Sequence, residues 1–397
     1  MPTHTIDAPP SSPRFRLRYL DGLRGLAALA MVLHHASMEV PEAVGGTLSV
    51  VQHALSFGHI PVDLFMVLSG YCLMLPIARA GDGRLRGGFA TFLRRRAWRL
   101  LPPYYAALAV SLLLIHSVPS MGRFEGVRWD VALPAFTPGS IVSHLTLLHN
   151  VRSDWSHAIN PSLWTLATDW QIYLAFPLLL ALWRRAGLTL TILLAFAAGY
   201  GLRLAGFLID DRYFNCMIPW FLGLFAQGMA AALVGFSDDA RLRRAETRVP
   251  WTLLALSSLA LGLAVAAIDR TWQAAYDPLI GTGFACSLIR LTRSVRFGDG
   301  SGLPRGFRCL ESRWAAALGA RSYSIYLVHF PLLSLIHLPM RAQGWGPSGR
   351  LLGLLMIGVP VCLAAASLFR MVFERPFLPS PPSPAGPARP RPIGLTS

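Results

Sequence analysis

The chain contains no lysine, so all 36 of its basic side chains are arginine, set against 20 acidic ones for a formal charge of +16. Charge of either sign is scarce. Only 14% of the 397 residues are charged while 53% are hydrophobic, and the mean hydropathy of +0.47 excludes an ordinary soluble chain. Cysteine is sparse and scattered: Cys72, Cys216, Cys286, Cys309 and Cys362 show no CxxC spacing, so neither a disulfide frame nor a metal site is indicated. A nucleic-acid module is excluded as well, because the arginines sit in short clusters between apolar runs rather than on one soluble face. No apolar stretch precedes a small-residue cleavage site in the polar, Pro-rich residues 1–19, so no removable signal peptide is expected. No internal repeat is visible, and no stretch is long enough for a second, soluble domain.

What the chain does have is long apolar runs. Crossing about 30 Å of hydrocarbon takes roughly 20 such residues, and ten runs qualify, at 20–40, 57–78, 100–118, 162–183, 188–208, 213–235, 250–268, 272–292, 314–338 and 350–372. The expected fold is all-α, a polytopic bundle of about ten transmembrane helices in the cell membrane. Alternate loops are Arg-rich, through Arg84–Arg99, Arg184 and Arg185, Arg241–Arg248 and Arg293–Arg308, whereas the others hold chiefly Arg123, Arg128 and Arg152 with Asp210 and Asp211. Because cytoplasmic loops collect positive charge, both termini are expected inside. This divides the chain into a cytoplasmic tail at 1–19, a membrane domain at 20–375 and a Pro-rich, disordered tail at 376–397.

The first run, "LDGLRGLAALAMVLHH", carries Arg24, His34 and His35. Arg24 and His35 are eleven residues apart, which returns to within about 20° of one helix face at about 16 Å along the axis. They share a stripe, whereas His34 lies about 80° away and reads as a packing histidine. A charge inside a span costs on the order of 3 kcal/mol, so such residues commonly face a pathway or a site. The bland alternative has Arg24 snorkelling to headgroups and His35 bonding a neighbouring helix.

Other runs add chemistry. "FLRRRAWRLLPPYY" puts Arg96 and Arg99 on one face at the start of the third run. They read as positive-inside anchors or, with Arg24 at the same level, as a grip on a multiply phosphorylated ligand, since guanidinium binds phosphate bidentately. "PVDLFMVLSG" carries Asp63, which also suits a helix N-cap, and Ser69. Asp169, with Gln171 and Tyr173 nearby, is a carboxylate well inside the fourth run, which no structural need explains cheaply. The ninth run holds Ser322, Tyr323, Ser324, Tyr326 and His329, and Glu374 ends the tenth; Ser and Tyr there also serve as interhelical glue.

These pieces, in this order and followed by a terminal "ERP", resemble acyltransferase family 3 from about Tyr19 to Phe377. The family's Arg-x10-His pattern falls on Arg24 and His35, and its Arg-x-x-Arg pattern on Arg96 and Arg99. The family commonly has Glu where this chain has Asp169, one methylene shorter. No hydrolase-like extension follows the tenth run, so the stand-alone form is expected. The resemblance implies a membrane O-acyltransferase that takes an acyl group, acetyl or another short one, from acyl-CoA with no metal. The acceptor would be a hydroxyl of a surface glycan, a glycolipid or a macrolide-like metabolite. CoA phosphates would rest on Arg24, Arg96 and Arg99, and His35 would be the base or would carry the acyl group covalently. Asp169 or Asp63 would orient its ring, with His329, Ser324 and Tyr326 as further candidates. A multi-span transporter and a non-catalytic scaffold are the rival readings.

Overall fold

Apolar runs in hydrocarbon must satisfy their backbone hydrogen bonds internally, and the chain does so with helices. A computed structural model describes residues 17–42, 44–236, 239–297 and 302–378, so most of both expected tails lies outside the described residues. The helices are α1 (Arg18–Met38), α2 (Thr47–Leu55), α3 (Ile60–Ala80), α4 (Gly88–Ser117), the short α5 (Pro138–Leu145) and α6 (Ser153–Ser156), α7 (Trp164–Ile209), α8 (Phe221–Phe236), α9 (Ala240–Arg248), α10 (Trp251–Ile268), α11 (Gln273–Phe297) and α12 (Arg313–Ala342). A final helical run covers Pro347–Phe377. Among the described residues the only extended pairing is an isolated bridge between Arg152 and Tyr213.

Every one of the ten expected runs overlaps a helix, but the expected number of spans is not what the helices themselves support. Among the described residues six helical runs, one of them α2 together with α3, are long and apolar enough to cross a membrane, or seven if α8 and α9, bent by 96°, form one broken span. The shortfall has physical causes. α8 has only 16 residues, α1 and α11 carry charged side chains that dilute their hydropathy, and the 46-residue α7 counts once although it breaks at Gly187. That glycine has φ +80°, a left-handed value that side chains resist. The break separates the runs expected at 162–183 and 188–208.

The pair that positions the site is α1 with α12. A Cβ added at Gly25 would lie 2.6 Å from the Gly319 nitrogen, and one at Gly319 only 1.9 Å from the Asp21 carbonyl oxygen. Small residues therefore let two backbones touch, as helices in a membrane commonly do. Ten residues beyond each glycine stand His35 and His329, also in contact, so the two helices run parallel and in register. At their far ends Ser334 donates to Glu39 at 2.6 Å and the His337 ring lies 3.1 Å from the same carboxylate. The Arg350 guanidinium then faces His337 and Glu42 at 3.3 and 2.8 Å. α3 and α8 cross equally closely, where a Cβ at Gly228 would lie 2.0 Å from the Val67 oxygen.

Candidate active site

Two cavities meet inside the bundle, with Val62 and Tyr326 lining both. The first, of about 390 Å³, collects Arg24, Arg96, Arg99 and Arg370 with Asp21, Asp169 and Glu374. Three helices and the final run supply these groups, so the sequence's scattered charges share one space. Arg96 is half-buried, with its guanidinium over Phe92 and Tyr173 at 5.7 and 6.0 Å, whereas Arg94 and Arg95 point outward. The cluster thus sorts into cavity and surface members by helix phase. Arg370 was not singled out from the sequence. Its signal was there, as a charge deep in the apolar run at 350–372, whose one other charge, Arg350, stands at its start, and a π turn over Arg370–Glu374 carries both charged residues to the cavity.

The second cavity, of about 400 Å³, holds His34 and His35. Arg24 and His35 lie on one uninterrupted helix, as their spacing predicts, but each opens into a different chamber. His34 is a packing residue: its Nδ1 bonds the Leu55 carbonyl at 2.8 Å, and its ring leaves no room for a Cβ at Gly58.

His35 Nδ1 lies 2.9 Å from His329 Nε2. The other His329 nitrogen, Nδ1, faces the carbonyls of Ile325 and Tyr326 at 3.1 and 2.8 Å. Carbonyls only accept, so His329 Nδ1 carries its proton and, with both rings neutral, His329 Nε2 is the acceptor. His35 must then donate from Nδ1, which leaves the lone pair on its Nε2. The two carbonyls thereby set the tautomer of a ring on another helix.

This corrects the expectation that Asp169 or Asp63 orients His35. Asp169 lines the other cavity beside Arg24. Asp63 is fully buried near His59, at 3.8 Å, and near Asp277, which His59 approaches at 3.2 Å and to which Trp220 donates at 2.8 Å. Ligand atoms of His59, Asp63 and Asp277 fall within 4.8 Å of one another, a cluster invisible in sequence because Asp277 stands 218 residues from His59. Tyr326 reaches the boundary between the chambers, and its hydroxyl oxygen accepts from Thr165 at 2.5 Å. Ser324 points elsewhere and donates to Glu374.

A family model described as an acyltransferase domain matches residues 17–368. The chain is 26% identical over 387 residues to an acyltransferase, MdmB, of Streptomyces mycarofaciens, covering 91% of each chain. It is 25% identical over 343 residues to the peptidoglycan O-acetyltransferase OatA of Listeria monocytogenes, covering 80% of this chain and 49% of that one. It therefore spans about half the length of the second relative. No solved structure matches.

Proposed function

This chain belongs to the acyltransferase-domain family and is a multi-pass membrane O-acyltransferase; from that premise we propose that its donor is acyl-CoA and its acceptor a hydroxyl of a glycan, glycolipid or macrolide-like metabolite. The observation that carries this reading is the pair of chambers meeting at Tyr326. Arg24, Arg96, Arg99 and Arg370 suit the phosphates of CoA, because each guanidinium grips phosphate with paired, charge-assisted bonds. From there the pantetheine arm runs about 16 Å along α1, the helical rise between Arg24 and His35, and brings the thioester to the boundary. The Arg-rich loops support a cytoplasmic-membrane location with the donor chamber and both termini on the cytoplasmic side.

The chemistry follows from the tautomer. His35 Nε2 takes the proton of the acceptor hydroxyl as its oxygen attacks the thioester carbon, and the carbon–sulfur bond then breaks. The departing thiolate takes the proton back from His35, so the ring ends neutral. His329 holds Nδ1–H throughout and is a positioning residue. Tyr326 accepts from Thr165 and keeps its own proton, which suits it to stabilise the carbonyl oxygen as charge develops there. Asp169 neutralises part of the arginine charge while the donor chamber is empty. A covalent acyl group on His35 is the other route open to Nε2, and incubation with donor alone followed by mass spectrometry separates the two.

The direct test is purified protein with radiolabelled acetyl-CoA, together with mass spectrometry of envelope and secreted products with and without the gene. Acyl transfer to a hydroxyl that needs acyl-CoA is the expected result. Products of identical mass in both strains, with no acyl-CoA consumption in vitro, would overturn the reading.

A further inference from the structure

The chamber that holds His35 is basic in a way that catalysis does not require. Arg128 and Arg270 line it, and both also line an adjoining cavity of about 630 Å³. Among the described residues neither cavity has an Asp or Glu in its lining. Arg128 starts a 3-10 turn, Arg128–Ala132, which is anchored by the fully buried Trp129 donating to the Met121 carbonyl at 2.8 Å. The Arg128 Nε is buried with no hydrogen-bond partner. The nearest acid in sequence, Asp130, is engaged elsewhere, accepting from the backbone of Glu125, Gly126 and Val127. Arg270 repeats the pattern. Its guanidinium stacks 4.8 Å from the Phe57 ring and bonds His53 at 3.3 Å, while neighbouring Asp269 accepts from Thr271.

Three other arginines are treated differently. Arg152, Arg203 and Arg212 each pair with a carboxylate, at 2.5, 2.6 and 2.5 Å. Arg128 and Arg270 also sit on loops where the charge bias of membrane proteins does not call for arginine, so an anchoring role does not account for them. The positive charge is permanent. His157, in the same lining, is pulled down to about 4 by burial and by the charge of Arg128, and is therefore neutral at pH 7. Low-dielectric walls lined by one sign of charge focus the field and draw a ligand of the opposite sign. Trp164 and Tyr276 add the flat apolar faces against which a sugar ring packs.

We infer that the acceptor is an anionic glycoside, its carboxylate or phosphate held by Arg128 and Arg270 while a hydroxyl of the same molecule meets His35 Nε2. The inference rests on the acyltransferase reading and narrows its acceptor class. It disfavours a cationic amino sugar, whose ammonium would face two unneutralised guanidiniums.

The experiment measures CoA release by the full chain in nanodiscs, with acetyl-CoA and one of four probes at equal concentration. The probes are methyl glucoside, methyl glucuronide, glucose 1-phosphate and methyl glucosaminide. The expected result is kcat/KM at least about tenfold higher for the glucuronide or the phosphate than for the glucoside, with the advantage shrinking as salt rises. Glucuronide against phosphate distinguishes the two anionic groups. In Arg128→Gln/Arg270→Gln the ratio of anionic to neutral turnover should collapse toward one. Equal use of glucoside and both anions by the unaltered chain, or a double variant that keeps the ratio, overturns the inference and leaves the acyltransferase reading standing. CoA release with none of the probes counts against both.

Discussion

His35 and His329 meet nitrogen to nitrogen at 2.9 Å, on parallel helices whose glycines, Gly25 and Gly319, touch ten residues earlier in each chain segment. Close backbone approach at one end delivers the ring contact at the other. The catalytic proposal follows from that register, since a histidine aligned by a second histidine presents its free lone pair to the chamber.

Substituting His35→Ala should abolish transfer, and His34→Ala should leave much of it. Only His35 bonds His329; His34 spends its Nδ1 on the Leu55 carbonyl. Loss of a general base costs about 10²–10⁴ in rate, which a product assay resolves. Donor binding by His35→Ala, measured by calorimetry, should persist. An active His35→Ala protein beside a dead His34→Ala protein would remove the site altogether.

At His329 the acceptor on Nε2 is what matters. His329→Leu leaves the His35 N–H facing a side chain that cannot accept, a cost of about 1–3 kcal/mol and so roughly a 10–100-fold loss in kcat. His329→Gln, whose amide oxygen can accept, should recover part of it. KM for acyl-CoA should move little in either, and the pH–rate profile should shift in His329→Leu but return toward the original in His329→Gln. Equal damage from both, with unshifted profiles, would make His329 a packing residue.

Arg96→Gln/Arg99→Gln should weaken acyl-CoA binding by tenfold or more, as two charge-assisted grips on phosphate are lost. Arg94→Gln/Arg95→Gln, whose side chains point outward, should bind donor normally. Membrane accumulation of each protein is the control, and unchanged affinity in the first double variant would reduce Arg96 and Arg99 to anchors.

Gly25→Leu should destabilise the protein and abolish transfer, because even the first carbon of the new side chain would sit 2.6 Å from the Gly319 nitrogen and force α1 from α12. Gly201→Ala, where nothing lies within 4 Å, should be neutral or stabilise by about 0.4–1 kcal/mol. Thermal unfolding in detergent, followed by size-exclusion fluorescence, compares the two. A Gly25→Leu protein as stable as the parent would mean that the helices do not need the contact.

Much of this protein was legible in its residues. Apolar runs long enough to span hydrocarbon leave the backbone little choice but helix, so the all-α class and the place of the long apolar helices could be read directly, whereas α2, α5, α6 and α9 were not expected. The eleven-residue interval from Arg24 to His35 has a meaning set by helical pitch alone, and α1 is unbroken across it. The number of membrane crossings was less legible, since charges dilute the hydropathy of α1 and α11 and the helical run of α7 continues on both sides of the break at Gly187. What orients His35 was not legible. The sequence pointed to a carboxylate, Asp169 or Asp63, and the fold supplies an imidazole 294 residues away, because the partner is chosen by which helices cross and at which glycine. Tertiary structure alone decides that Asp277 joins Asp63 and His59, that Arg370 joins Arg24, and that Arg128 and Arg270 open onto the His35 chamber. Helix phase is a local property of the chain, whereas the identity of the facing helix is fixed only when backbones distant in sequence come into contact.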